Sequence, residues 1–133
     1  MENSLNDILI IIFYLRYFNQ TFTNAGQTKK LTKNELEILA DQKEPFYNSF
    51  ENAHEMDDIC DTTPKNNTIS EWGVKCEYAL LDIHFGIRGT HWEFVKQKML
   101  THEAKRYDII TIKLLDDSLI DIYFDITSWF GKN

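Results

Sequence analysis

The chain predicts an α+β domain in which N-terminal helices pack on a small, mainly antiparallel sheet ending in a C-terminal β-hairpin. Three observations lead there. Ile110, Ile112 and Leu114 alternate with polar residues, and so do Ile120, Ile122, Phe124 and Ile126, which is the period of strands with one buried face. Two spellings, Thr32-Lys33-Asn34-Glu35 and Thr90-His91-Trp92-Glu93, match the capping box that opens helices. With 133 residues, 43% hydrophobic and only five Gly and two Pro, the chain can build one core without a staple. Residues 1–133 are therefore read as a single domain, helical over 4–61 and β-α-β-β over 72–130.

The elements follow in order. Residues 5–18 include eleven apolar side chains, unbroken over 8–15. That run is shorter than the roughly 20 residues a spanning helix needs. Glu2 and Asp7 also stand where an export signal would carry basic residues. The expectation is a helix capped by Ser4, buried in the core or at a homodimer contact, in a cytoplasmic protein with no membrane segment. Residues 19–30 read as a loop. A helix from Thr32 to about Asp41 is expected to bury Leu36, Leu39 and Ala40. Pro45 suits the first turn of the next helix, which places Phe46, Phe50, Ala53 and Asp57 on one face.

Residues 62–69 read as a loop, and 72–87 fit two periods. Val74, Cys76, Tyr78 and Leu80 alternate, and Leu81, Ile83, Phe85 and Ile87 alternate in the opposite phase, as in a strand with a bulge. Trp72, Cys76, Ala79, Leu80 and Ile83 also match a helix; the strand is the reading taken here. The second capping box starts a helix over 91–103 that buries Trp92, Val95 and Met99. The hairpin follows, with strands over 107–115 and 119–127. Facing the apolar sides pairs 112 with 122, leaves the loop Asp116-Asp117-Ser118 and sets Lys113 opposite Asp121.

Charge carries the functional reading. There are 21 acids against 14 bases, a formal charge of −7. The acids concentrate in residues 31–61 and 107–133, whereas 62–106 is mildly basic. Such a chain repels phosphate backbones, so nucleic acid is a disfavoured partner. Acidic patches steer basic proteins. The expected role is a non-enzymatic binding protein that covers a basic protein partner, a profile shared in general terms by bacterial inhibitor and toxin-immunity proteins. The candidate contacts are Asp57, Asp58, Asp61, Asp116, Asp117, Asp121, Tyr123 and Asp125. No catalytic residue, metal or cofactor is expected. Cys60 and Cys76 alone make neither a zinc site nor a disulfide framework. His54, His84, His91 and His102 include no pair three or four apart.

Three further patterns suggest other chemistry. Asp57-Asp58-Ile59-Cys60-Asp61 resembles the D-D-x-x-D motif of prenyl-diphosphate synthases and terpene cyclases, whose aspartates hold Mg²⁺ against a diphosphate. Those enzymes are larger and all-helical and carry a second acidic motif, so the spelling is read here as an acidic helix end. Gly86-Ile87-Arg88-Gly89 resembles the G-x-x-G loop of the KH module, which joins two helices and clamps a single-stranded backbone. His84 and His91, with Glu93 or Asp82, would suit a small enzyme or ligand-binding domain if the glycine loop folded them together.

Overall fold

The computed structural model describes residues 30–132. The helix and homodimer contact expected over residues 5–18 lie outside them. The fold is α+β: helices, then a four-stranded mixed sheet, mostly antiparallel, whose last three strands form consecutive hairpins. The elements are α1 (Lys33–Gln42), β1 (His54–Glu55), α2 (Ile59–Thr62), α3 (Ile69–Phe85), β2 (Glu93–His102), β3 (Lys105–Lys113) and β4 (Leu119–Asp125). The strand order is β1-β4-β3-β2, with β1 parallel to β4.

α1 starts as its spelling predicts. The Thr32 hydroxyl accepts from the Glu35 backbone N–H at 3.1 Å, and Glu35 accepts from the Thr32 N–H at 3.0 Å. Its packing differs from expectation, since Leu36 is 53% exposed and Ala40 is exposed, leaving Leu39 against the core. What anchors the helix is Gln42, which is 1% exposed. Its Nε2 donates to the carbonyls of Phe85 (2.7 Å) and His91 (2.8 Å), and its Oε1 accepts from Leu115 N–H at 3.3 Å. One amide thus satisfies three backbone groups from three parts of the chain, each costly to bury unpaired.

The helix expected after Pro45 does not form. Residues 43–53 run as turns and bends, followed by the two-residue β1 and the single turn α2. Phe46, Tyr47 and Phe50 still pack inward, but as loop side chains: Phe46 and Tyr47 join the core cluster and Phe50 meets Tyr107 and Tyr123.

Helix and strand are exchanged in the middle of the chain. The stretch read as a bulged strand is α3, opened by a third capping box in which Thr68 and Glu71 bond reciprocally at 3.1 and 2.8 Å. The two opposed alternations were two helical stripes seen together. Val74, Tyr78, Leu81 and Phe85 face the sheet and are buried, while Cys76, Leu80 and Ile83 line a groove on another side. The stretch read as a helix over 91–103 is β2, which pairs with β3 along its length with a bulge between Phe94 and Lys96. Thr90-x-x-Glu93 therefore spells a cap without starting a helix. Instead Gly89 N–H bonds the Trp92 carbonyl and the chain turns back into the sheet.

The C-terminal hairpin is present, shifted by two residues from the expected register. Ile110 pairs with Ile122, and Ile112 with Ile120. A two-residue shift keeps every side chain on its face. It replaces the expected Lys113–Asp121 pair by Thr111 opposite Asp121, joined at 2.6 Å. Lys113 lies instead between Glu93 (4.0 Å) and Asp117 (3.9 Å). Ile110, Ile112, Ile122, Phe124 and Ile126 meet α3, Trp92, Phe94 and Trp129 in one core. Each such side chain removed from water contributes roughly 1.5–3 kcal/mol.

The β2–β3 turn is strained. Glu103 and Ala104 both have positive φ, 49° and 67°, which L-residues adopt at a cost of roughly 1–2 kcal/mol each. Two-residue hairpin turns of this hand favour Gly at the second position. Ala104→Gly is expected to raise the thermal midpoint by about 4 °C, and a scan showing no rise or a fall would contradict this account of the turn.

Candidate functional site

The eight candidate contact residues divide into two groups. Asp57, Asp58 and Asp61 are exposed on and just before α2, and none makes an ion pair among the described residues. The others are engaged by the chain itself. Asp116 binds the Lys43 ammonium at 2.8 Å and the Ser118 hydroxyl and N–H. Burial alone would raise its carboxyl, but these bonds outweigh it and hold the group at about 2. Asp117 stands 3.9 Å from Lys113. Asp121 accepts from Thr111. Asp125 is buried, accepts from Thr127 N–H and hydroxyl at 3.0 and 2.6 Å, and lies 3.6 Å from Lys105. Tyr123 is half-buried with its ring 5.0 Å from Phe50, and its N–H donates to the Tyr47 carbonyl at 2.7 Å.

Beside Asp57, Asp58 and Asp61 runs a groove of about 360 Å³ between α2 and α3. Met56, Ile59, Trp72, Leu80 and Ile83 supply its apolar lining, with His54, Asp58, Thr62 and Cys76 as its polar groups. Ile83 is 74% exposed. The Trp72 indole N–H donates to the Thr62 hydroxyl at 2.9 Å, which ties the two walls together. Burial, with Asp58 adding to it, pushes the Cys76 thiol up and leaves it a poor nucleophile. Cys60 and Cys76 are both free thiols.

The histidines form different groups from those expected. His84 packs on Phe46 and Tyr47, with ring centroids 4.4 and 5.3 Å apart, and His54 packs on Tyr47 at 4.7 Å. Burial and the neighbouring His84 lower His54 against the opposing pull of Asp58, Asp57 and Glu55, and burial lowers His84. His91 is turned elsewhere, with its Nδ1 accepting the Ile87 N–H at 2.8 Å. Gly86 makes room for that bond, because a Cβ there would lie 2.6 Å from the same nitrogen. The Gly86–Gly89 loop joins a helix to a strand, so the helix-loop-helix of the KH resemblance is not formed. Among the described residues no group of three or more His, Cys, Asp or Glu is placed to hold a metal ion. None of their helices is long and apolar enough to cross a membrane.

The most unusual chemistry lies inside. Glu77 on α3 and Asp108 on β3 are both fully buried where helix meets sheet. Gln97 Nε2 donates to one Asp108 oxygen. The other Asp108 oxygen and both Glu77 oxygens have no partner outside the pair among the described residues. Burial first, and then the Asp108 carboxylate, push Glu77 well up; burial raises Asp108, with bonds from Glu77 and Gln97 opposing. Burial thus disfavours a charge on both carboxyls, and the neighbouring Asp108 disfavours it further on Glu77. Asp108 could have been noticed beforehand, since it falls in phase with Ile110 and Ile112 on the apolar side of its strand.

No protein-family model matches the chain, and neither curated proteins nor solved structures show a match to it.

Proposed function

We propose that this protein is a non-enzymatic, cytoplasmic binding module that covers a basic protein partner, as inhibitor and toxin-immunity proteins do. One observation supports the reading: three aspartates without an ion pair among the described residues stand beside an apolar groove with an exposed isoleucine and a half-buried tryptophan. Interfaces combine an apolar, aromatic centre with a charged rim, and the rim governs encounter more than final affinity. Asp57, Asp58 and Asp61 supply the rim, and Trp72 and Ile83 supply the centre.

The test compares wild type with the Asp57→Ala/Asp58→Ala/Asp61→Ala variant as baits in host extract. One stoichiometric basic protein is expected on the wild type, held about tenfold more weakly by the variant, a difference of about 1.4 kcal/mol. Association with the purified partner should slow as salt rises, because exposed charges are screened beyond about 8 Å at physiological ionic strength. Equal retention by both baits would remove this surface from consideration.

A further inference from the structure

The α2–α3 groove presents apolar side chains at an open surface. Met56, Ile59, Trp72, Leu80 and Ile83 line it, and Ile83 is 74% exposed. Ile87, four residues further along the chain, is 63% exposed. No lysine or arginine lines the groove among the described residues. Asp57, Asp58 and Asp61 stand exposed on and beside α2. An apolar surface with a polar rim marks a docking site, and this one suits an apolar segment that carries a base at its edge.

The chain itself carries a segment of that chemistry. Residues 8–15 are eight consecutive apolar side chains, and the run is closed by Arg16, the first base in the sequence. The buried core cluster is assembled from Met56 to Trp129, so this run is not needed to complete it, and water disfavours leaving it exposed. The described chain begins at Lys30, two residues before the N-cap of α1, and α1 packs against α3. Fourteen residues separate Leu15 from Lys30. At about 3.3–3.6 Å per residue they reach roughly 45–50 Å, ample for any face of a domain whose radius of gyration is about 13 Å. A tether of this length also holds the run at roughly millimolar effective concentration, which favours the chain's own segment over one from a second copy.

We propose that residues 8–15 of the same chain occupy the α2–α3 groove, with Arg16 against the aspartates at its rim, and that a basic partner has to displace them. The run supplies the apolar surface that Trp72 and Ile83 lack, and Arg16 supplies the cation missing from the lining. The displacement rests on the basic-partner reading, since both occupants use one surface. The occupancy does not, because it concerns the chain alone.

The experiment is NMR on the isotope-labelled full chain. Nuclear Overhauser contacts are expected between the Trp72 indole and side chains of residues 8–15, unchanged on tenfold dilution. A second readout is alkylation of Cys76, which lines the groove, in a Cys60→Ser background. Ile10→Asp/Ile12→Asp should speed it about tenfold and Arg16→Ala several-fold, with the β3–β4 amide spectrum unchanged. Absence of those contacts in the wild type, contacts of the run with another face, or contacts that fade on dilution, as a segment from a second copy would give, would overturn the occupancy. With purified partner, Ile10→Asp/Ile12→Asp should bind several-fold more tightly than wild type. Contacts present without that gain would keep the segment in its groove and remove this surface from the partner reading. Contacts absent with a partner still captured through the aspartates would sink the occupancy and spare the reading.

Discussion

Glutamine in place of Glu77 is expected to gain stability relative to the wild type as pH rises. Glu77 is raised in the folded protein by burial and by Asp108. A carboxyl raised on folding stabilises fully below its unfolded pKa, and that contribution is lost as pH climbs toward the folded value. Glutamine keeps the shape and a donor for Asp108 but has no proton to lose. Near pH 4 the two proteins should agree within about 1 kcal/mol, since a neutral amide replaces a neutral carboxyl of the same shape. By pH 8 the wild type carries either an ionised, repelled Glu77 or the cost of keeping it protonated. The gap should then favour the variant by on the order of 3 kcal/mol, the scale of an uncompensated buried charge. Groups common to both proteins, including the depressed Asp116 and the lowered His54 and His84, cancel in the difference. Urea unfolding at pH 4, 6 and 8 decides it, and a gap constant across that range would mean the pair shares no proton.

Gly73→Ala should destabilise the fold by about 2 kcal/mol, although alanine is the better helix former by about 1 kcal/mol. A Cβ at Gly73 would lie 2.5 Å from the Trp129 ring. Trp129 is fully buried, and α3 approaches it across the bare glycine backbone. The ring cannot yield without disturbing Val74, Ile126 and their neighbours in the core. The control is Trp129→Leu, costly in itself, on which Gly73→Ala should become neutral or stabilising because the obstruction has gone. Additive effects in the double variant would show that the clash is not what glycine avoids.

Much of the architecture was legible because its signals are local. The alternation over 110–126 announces a hairpin without reference to anything else, and Thr32-x-x-Glu35 announces α1. Errors arose where a local signal competes with a distant one. Thr68-x-x-Glu71 and Thr90-x-x-Glu93 share one spelling, but only the first is followed by a buried stripe at helical spacing, Val74, Tyr78, Leu81 and Phe85. The second precedes residues that β3 captures as a strand partner. The hairpin register could not be read from its apolar pattern, because shifts by two residues leave that pattern unchanged; the Thr111–Asp121 bond and the Lys113 contacts accompany the one observed.

At the candidate sites, the acids were legible as residue types but not their pairing. Lys43 lies far from Asp116 in sequence and Lys105 far from Asp125, so neither neutralisation leaves a local trace. Gln42 is a polar residue at a helix end and gives no local hint that it will be buried under three backbone groups. The ring contacts of Phe50 with His102, Tyr107 and Tyr123 join stretches that only the sheet assembles.

The parallel pairing of β1 with β4 has a consequence in time. Hairpins close between near neighbours, whereas His54 and Phe124 stand about seventy residues apart and must wait for the sheet to exist. The two-residue ladder is extended by Met56 N–H to the Asp125 carbonyl at 3.3 Å and by Tyr123 N–H to the Tyr47 carbonyl at 2.7 Å, so the edge is held by bonds that span most of the chain. The sheet therefore completes outward from its hairpins, and this edge is the last to join it.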